Sequence, residues 1–275
     1  MGLQAEEGLI PTSARNRILV ATAVPAERDA VARAFFPPGS PESPESPESP
    51  ESPGSPDSPF EQVWLPGTGL LRATFGSGRW DLLDAGVGPA RAAVSVSAAL
   101  TAARLAGTPY DLVVSAGIGG GFLPQAPVGS LVVADRITVA DLGAETADGF
   151  LPVTELGFGT VQHHPPRSLV RAATQATGAP AGTVLTVSTV TGTAARATEL
   201  RARHPRALAE GMEGFGVAEA ADAHGTAVLE IRAISNPVGP RDRAAWRIGD
   251  ALAALTEAFG KLAPALESWN QHDDH

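Results

Sequence analysis

The stretch Asp111-Leu-Val-Val-Ser-Ala-Gly117-Ile-Gly119-Gly120-Gly121 constrains the fold of this chain most. A near-continuous apolar run has no polar face to turn to water, so as a strand it must be covered on both sides. Related runs predict strands at Arg17–Ala21, Leu70–Phe75, Trp80–Ala85, Asp111–Ser115, Ser130–Val139, Thr183–Val187 and Ala227–Ile234. Helical patterns fall between and after them, at Ala26–Phe36, Pro89–Ala106, Arg167–Thr177, Ala194–Arg203, Glu213–His224 and Ala244–Leu262. Pro89 suits a first turn, whose N–H groups lack intrahelical partners. Ala92, Ala93, Val96, Ala99, Leu100 and Ala103 then form one apolar stripe. Strand–helix alternation predicts α/β architecture: a single three-layer domain with a largely parallel sheet.

One segment interrupts the pattern. From Pro37 to Pro59 the chain repeats Ser-Pro-acid, with nine of its 24 prolines there, and Glu42, Glu45, Glu48, Glu51 and Asp57 carry half of the net charge of −10. Proline at this density blocks helices and ladders, and almost nothing apolar is present to bury. The expected organisation is one domain over 17–265 with a disordered insertion at 37–59, and flexible tails at 1–16 and 266–275. The insertion could serve as a ligand for a proline-binding module or be a tolerated surface loop.

Composition removes several classes of chemistry. There is no cysteine among the 275 residues, so disulfides, thiol nucleophiles and Cys-held metals are out. Lys261 is the only lysine and no Gly-Lys-Ser/Thr occurs, so the Walker loop is absent. Thirty acidic against twenty basic groups disfavour nucleic-acid and anionic membrane partners. No apolar run reaches the ~18 residues of a membrane span. Met1–Asn16 carries Glu6 and Glu7 and no apolar signal core, so a cytoplasmic location is expected. The six histidines show no metal-binding spacing, and no Gly-x-Ser-x-Gly marks a hydrolase elbow.

Ligands of open α/β sheets bind at the carboxyl ends of the strands. Glycine turns are expected there at Gly86-Val-Gly88 and Gly117–Gly121, although Phe122 and Arg91 break any dinucleotide fingerprint. Glu27 follows the first strand, where it could act as a base or merely favour a helix dipole. Glu213, in Gly211-Met212-Glu213-Gly214, could bind a diol or be a helix-start acid. Asn236, after Ser235, can both donate and accept, which suits a heterocycle edge; it also suits a turn before Pro237.

In order along the chain, ILVATAVPAERDAV (18–31), LLDAGVGPARAAV (82–94), DLVVSAGIGGGF (111–122), GMEGFGVAEAA (211–221) and EIRAISNPVGPRD (230–242) resemble the purine nucleosidase/phosphorylase superfamily, most closely its futalosine hydrolases. The resemblance implies a nucleoside phosphorylase-like fold, with a mixed, twisted central sheet flanked by helices, usually in homo-oligomers. It implies N-ribosyl hydrolysis of futalosine to hypoxanthine in menaquinone biosynthesis, on a small-molecule nucleoside substrate, with no cofactor and no metal. Under it Glu27 activates water, Glu213 holds the ribose hydroxyls and Met212 packs on the sugar. Gly86, Gly117, Ile118 and Gly119 line the nucleoside pocket, with Ser235 beside Asn236. Asn236 stands where methylthioadenosine nucleosidases carry an aspartate, which fits a 6-oxopurine. The family's base-stacking Phe has no counterpart in Thr189-Val190-Thr191-Gly192-Thr193. Alternatives are an aminofutalosine or methylthioadenosine-type nucleosidase, a purine nucleoside phosphorylase, or a nucleoside-binding protein without turnover. An acid at Glu27 would repel the phosphate that phosphorolysis needs.

Overall fold

The computed structural model describes residues 16–35 and 59–270. In chain order the elements are β1 (Arg17–Thr22), α1 (Pro25–Phe35), β2 (Glu61–Leu65), β3 (Thr68–Phe75), β4 (Gly78–Asp84), α2 (Pro89–Leu105), β5 (Leu112–Gly121) and β6 (Leu131–Val139). There follow β7 (Gly143–Thr146), β8 (Gly149–Pro152), β9 (Gln162–His163), α3 (Arg167–Thr177), β10 (Ala181–Thr186), α4 (Ala194–Arg203), β11 (Ala207–Gly211), α5 (Gly214–Ala223), β12 (Ala227–Pro237), a 3-10 turn at Arg243–Ala245 and α6 (Ile248–Ser268).

One sheet organises them, in the order β11-β10-β6-β12-β5-β1-β4-β3-β2 with β9 on β6. β4, β1, β5 and β12 run parallel as neighbours, as do β6, β10 and β11. β12 meets β6 antiparallel, and β2, β3 and β4 form an antiparallel edge, so the sheet is mixed. It also curls until β11 pairs with the end of β5. Every residue of β1 is buried, as a strand covered on both faces requires. On one face α1, α3 and α6 supply Val31, Leu169, Leu255 and Phe259 to the core. On the other α2 and α5 supply Val96, Leu100, Phe215 and Val217. These are the three layers expected.

Several expectations need correction. Gly117–Gly121 is not a turn: β5 continues through all of it, because β12 and β11 pair with its glycines from either side. β12 likewise runs on through Asn236 to Pro237. β2, β7, β8, β9 and β11 carry no apolar alternation strong enough to announce them; most are short or at an edge. Ala244–Leu262 is not one helix, since Trp246 interrupts it with extended backbone before α6 begins. Residues 266–270 are not a tail either. Leu266 is buried, Trp269 Nε1 donates to Ser168 Oγ at 2.8 Å, and Asn16 Nδ2 donates to the carbonyls of Leu266 and Trp269. The Ser-Pro segment up to Ser58, the stretch 1–15 and the stretch 271–275 lie outside the described residues.

Candidate active site

The last paired residue of β1, Ala21, lies opposite Ser115, and the parallel strands β5 and β12 run on past it to Gly121 and Pro237. Beside these carboxyl ends lies a cavity of about 230 Å³. Glu27 reaches it from the first turn of α1. Its carboxylate turns inward, away from a simple helix-dipole role: Oε2 accepts from Ala23 N at 2.9 Å and Oε1 from Ile118 N at 2.8 Å. Gly117 permits this approach, because a Cβ there would stand 2.7 Å from Glu27 Oε1 and 3.0 Å from Arg232 Nη1. Burial raises the Glu27 carboxyl above the ordinary carboxylate range; the Ile118 N–H and Arg232 oppose that rise without cancelling it.

Glu213 precedes α5 at its N-cap, yet its side chain makes no cap bond. Instead Oε1 accepts from Gly88 N at 3.1 Å, and Oε2 lies 3.3 Å from both Met212 N and Arg232 Nη1. Glu213 thus stands at a helix start, but its side chain turns to the cavity wall. Met212 lines the cavity beside it.

Arg232 ties the carboxylates together. It is 1% exposed, its Nε donates to Glu230 Oε1 at 2.9 Å, and its Nη2 donates to Ser115 Oγ at 3.3 Å. Burial disfavours its charge, but Glu230, Glu213 and Glu27 outweigh that and keep it protonated. Sequence patterns did not single it out. The available signal was a Glu and an Arg, both on one face by the strand period, inside the otherwise apolar run Ala227–Ile234.

At the other end of the cavity Asn236 is a strand residue, not the start of a turn. Its Oδ1 is 2.8 Å from Ser235 Oγ, and its Nδ2 donates to Pro237 O at 3.1 Å. Ser235 Oγ is also 3.3 Å from Gly119 O. Val187, Val190 and Thr191 form the wall for which no Phe was found, and Val238 and Trp246 also line the cavity. Ile118, Gly119 and Ser235 line it as expected. Gly117 stands behind Glu27, and Val87 reaches the wall where Gly86 was expected; Gly86 holds a positive φ of 87°. Glu210 is a further buried wall residue that sequence patterns missed. Burial raises its carboxyl, and bonds from Thr191 partly offset this.

The arrangement combines a carboxylate whose proton affinity is raised by burial, a second carboxylate beside a buried guanidinium, and an amide in the same cavity. Such a set can accept a proton, stabilise positive charge and recognise a polar heterocycle.

The model of the phosphorylase superfamily matches residues 18–266. A futalosine hydrolase of Streptomyces coelicolor is 70% identical over 256 residues, which cover 93% of this chain and 99% of that protein. A futalosine hydrolase of Acidothermus cellulolyticus is 45% identical over 67% of this chain and 75% of its own. The solved structure of a methylthioadenosine/S-adenosylhomocysteine nucleosidase from Colwellia psychrerythraea, in complex with adenine, shares the fold. Its TM-score is 0.70 at 18% identity, over 92% of this chain and 95% of that one.

Proposed function

The chain belongs to the phosphorylase superfamily and, within it, groups with the futalosine hydrolases; from that premise we propose that it hydrolyses the N-ribosyl bond of futalosine and releases hypoxanthine. The observation that carries the mechanism is the meeting of Glu27 and Glu213 around Arg232 in the cavity that also presents Asn236.

Cleavage builds positive charge on the sugar and negative charge on the base, and a site accelerates it by stabilising both. Glu27 orients a water at the anomeric carbon and takes its proton. The carboxyl's raised affinity for protons suits that task near neutral pH. Glu213 accepts from the ribose hydroxyls, and its bonds from Gly88 and Met212 keep it oriented. Arg232 holds Glu213 and balances the acids. Asn236 donates to O6 of the departing base and accepts from N7–H, with Ser235 holding its amide. The enzyme acts as a cytoplasmic homo-oligomer in menaquinone biosynthesis.

Incubation with futalosine and with inosine tests this. Free hypoxanthine and an unphosphorylated sugar product, at a rate independent of added phosphate, are expected. Turnover only with phosphate would make the protein a phosphorylase. Tight nucleoside binding without hypoxanthine release would make it a binding protein.

A further inference from the structure

One carboxylate of the cavity has no part in the mechanism above. Glu210 is 4% exposed and accepts from Thr191 N at 2.9 Å and from Thr191 Oγ1. A carboxylate offers about four acceptor positions. The Thr191 bonds occupy one on each oxygen and leave capacity for a ligand. Burying an ionisable group here is costly, and a stretch of loop could be anchored by a neutral side chain at less expense.

Strand register sets Glu210 against Asn236. Glu210 on β11 and Asn236 on β12 both pair with Gly120 of β5, one from each side. Residues directly opposite across a ladder project to the same face of the sheet. The two side chains therefore rise from one face with a residue lacking any side chain between them. At ~4.8 Å per strand their backbones stand ~10 Å apart, room for a flat heterocycle's edge with a side chain reaching in from each end. Gly120 keeps the gap clear: a Cβ there would come within 2.9 Å of Val238 Cγ2 and 3.4 Å of Asn236 Nδ2.

We propose that Glu210 is a specificity-determining residue that accepts the N1–H of a 6-oxopurine while Asn236 reads O6 and N7 from the opposite side. The inference rests on the nucleosidase reading and names what selects the base. A 6-oxopurine places an N1–H donor beside O6; a 6-aminopurine places a bare acceptor at N1. Ser235 holds Asn236 Oδ1 so that its NH₂ faces O6, and an ionised carboxylate at Glu210 adds a group that only accepts. Glu210 thus gains a charge-assisted bond with hypoxanthine and meets a lone pair with adenine. The Thr191 bonds hold the carboxylate in place, so little ordering is needed when the base arrives.

The test compares futalosine with its 6-amino counterpart in the full chain. Glu210→Gln keeps the size and can still accept from Thr191, but can also turn an NH₂ toward the base. A ~10- to 100-fold fall in kcat/KM for futalosine is expected, with the 6-amino substrate unchanged or improved. Equal losses on both substrates, or an unmoved ratio, would overturn the proposal and leave Glu210 as an anchor for Thr191. A second measurement needs no variant. Wild-type protein should bind hypoxanthine at least ~10-fold more tightly than 1-methylhypoxanthine, which has no N1–H. Equal affinities would also overturn it. If the wild type releases hypoxanthine from no nucleoside but binds the free base with this preference, the nucleosidase reading fails and base recognition by Glu210 stands.

Discussion

Glu230 Oε1 accepts from Arg232 Nε at 2.9 Å, and the two residues are 0% and 1% exposed. The strand period places both on one face of β12. Fixed through Nε, the guanidinium keeps Nη1 for Glu213 and Nη2 for Ser115. Burial raises the Glu230 carboxyl, and Arg232 opposes this. One cation thus serves Glu230, Glu213 and Glu27 together. A buried pair of this kind adds little over an apolar pair, but removing one partner strands the other.

Glu230→Ala is therefore expected to cost about 3 to 5 kcal/mol of unfolding free energy in urea, far more than an exposed acid. The freed guanidinium would also shift toward Glu213 and Glu27 and lower kcat. A variant as stable and active as the parent would show that the pair is dispensable.

Glu27→Gln keeps shape and one acceptor but cannot take a proton. A loss of at least ~10² in kcat is expected, with substrate binding retained. The pH dependence has a definite sign. A base works only when ionised, so kcat should fall as pH drops through the Glu27 pKa, which burial sets above its ordinary 4.5. That limb should be missing from the variant's residual rate. Near-normal turnover would return Glu27 to a purely structural role in the first turn of α1.

The layered α/β fold was legible because its strands are strongly apolar: β1 and β5 read as buried strands from Ile18-Leu-Val and Leu112-Val-Val alone. Of the residues singled out from backbone pattern and motif, Glu27, Met212, Glu213, Ser235 and Asn236 come together at one cavity. Arg232 and Glu210 were not, since each is explained by a partner distant in sequence. Arg232 is buried because Glu213 and Glu27 arrive from α5 and α1, and Glu210 faces Asn236 only through the curl that brings β11 to β5. Glycine misled for a related reason. Locally Gly119-Gly120-Gly121 spells a turn, but two flanking strands supply ladder bonds that hold it extended.

Asp81 makes acid stability testable away from the cavity. It is fully buried, and Arg72, Tyr110 and Arg17 all donate to it. Burial works against its charge, but those bonds outweigh it and hold the carboxyl below its usual range. A lowered folded-state pKa contributes stability that is present above the unfolded value of ~3.9 and lost as pH falls through the folded one. Asp81→Asn should accordingly cost most at neutral pH, and its deficit should shrink as the medium is taken below about pH 4. Urea midpoints of parent and variant across that range measure it; a deficit that does not change with pH would contradict the charged assignment.

The expectation of a single domain treats the Ser-Pro insertion as extraneous to the core. α1 ends at Phe35 and β2 begins at Glu61, and residues 37–59 between them consist only of Pro, Gly, Ser, Glu and Asp. Replacing Ser40–Ser58 with a short Gly/Ser linker should leave Tm and kcat nearly unchanged. A large loss of either would give the insertion a packing or gating role.

Asn236→Asp tests recognition of the base itself. Hypoxanthine presents acceptors at N7 and O6, and adenine presents an acceptor at N7 and a donor at its amino group. The Asn236 NH₂ can donate to O6, while Oδ1, held by Ser235, accepts from N7–H once the base is protonated. Facing adenine, that buried NH₂ would meet another donor, at ~1 to 3 kcal/mol, or roughly ten- to a hundredfold in selectivity. An aspartate reverses the preference: protonated it donates to N7, and ionised it accepts from the amino group. Matched kcat/KM values for futalosine and aminofutalosine should therefore shift toward the 6-amino substrate in the variant. A parent enzyme that already prefers the 6-amino substrate, or a ratio that stays put on substitution, would remove Asn236 from base recognition.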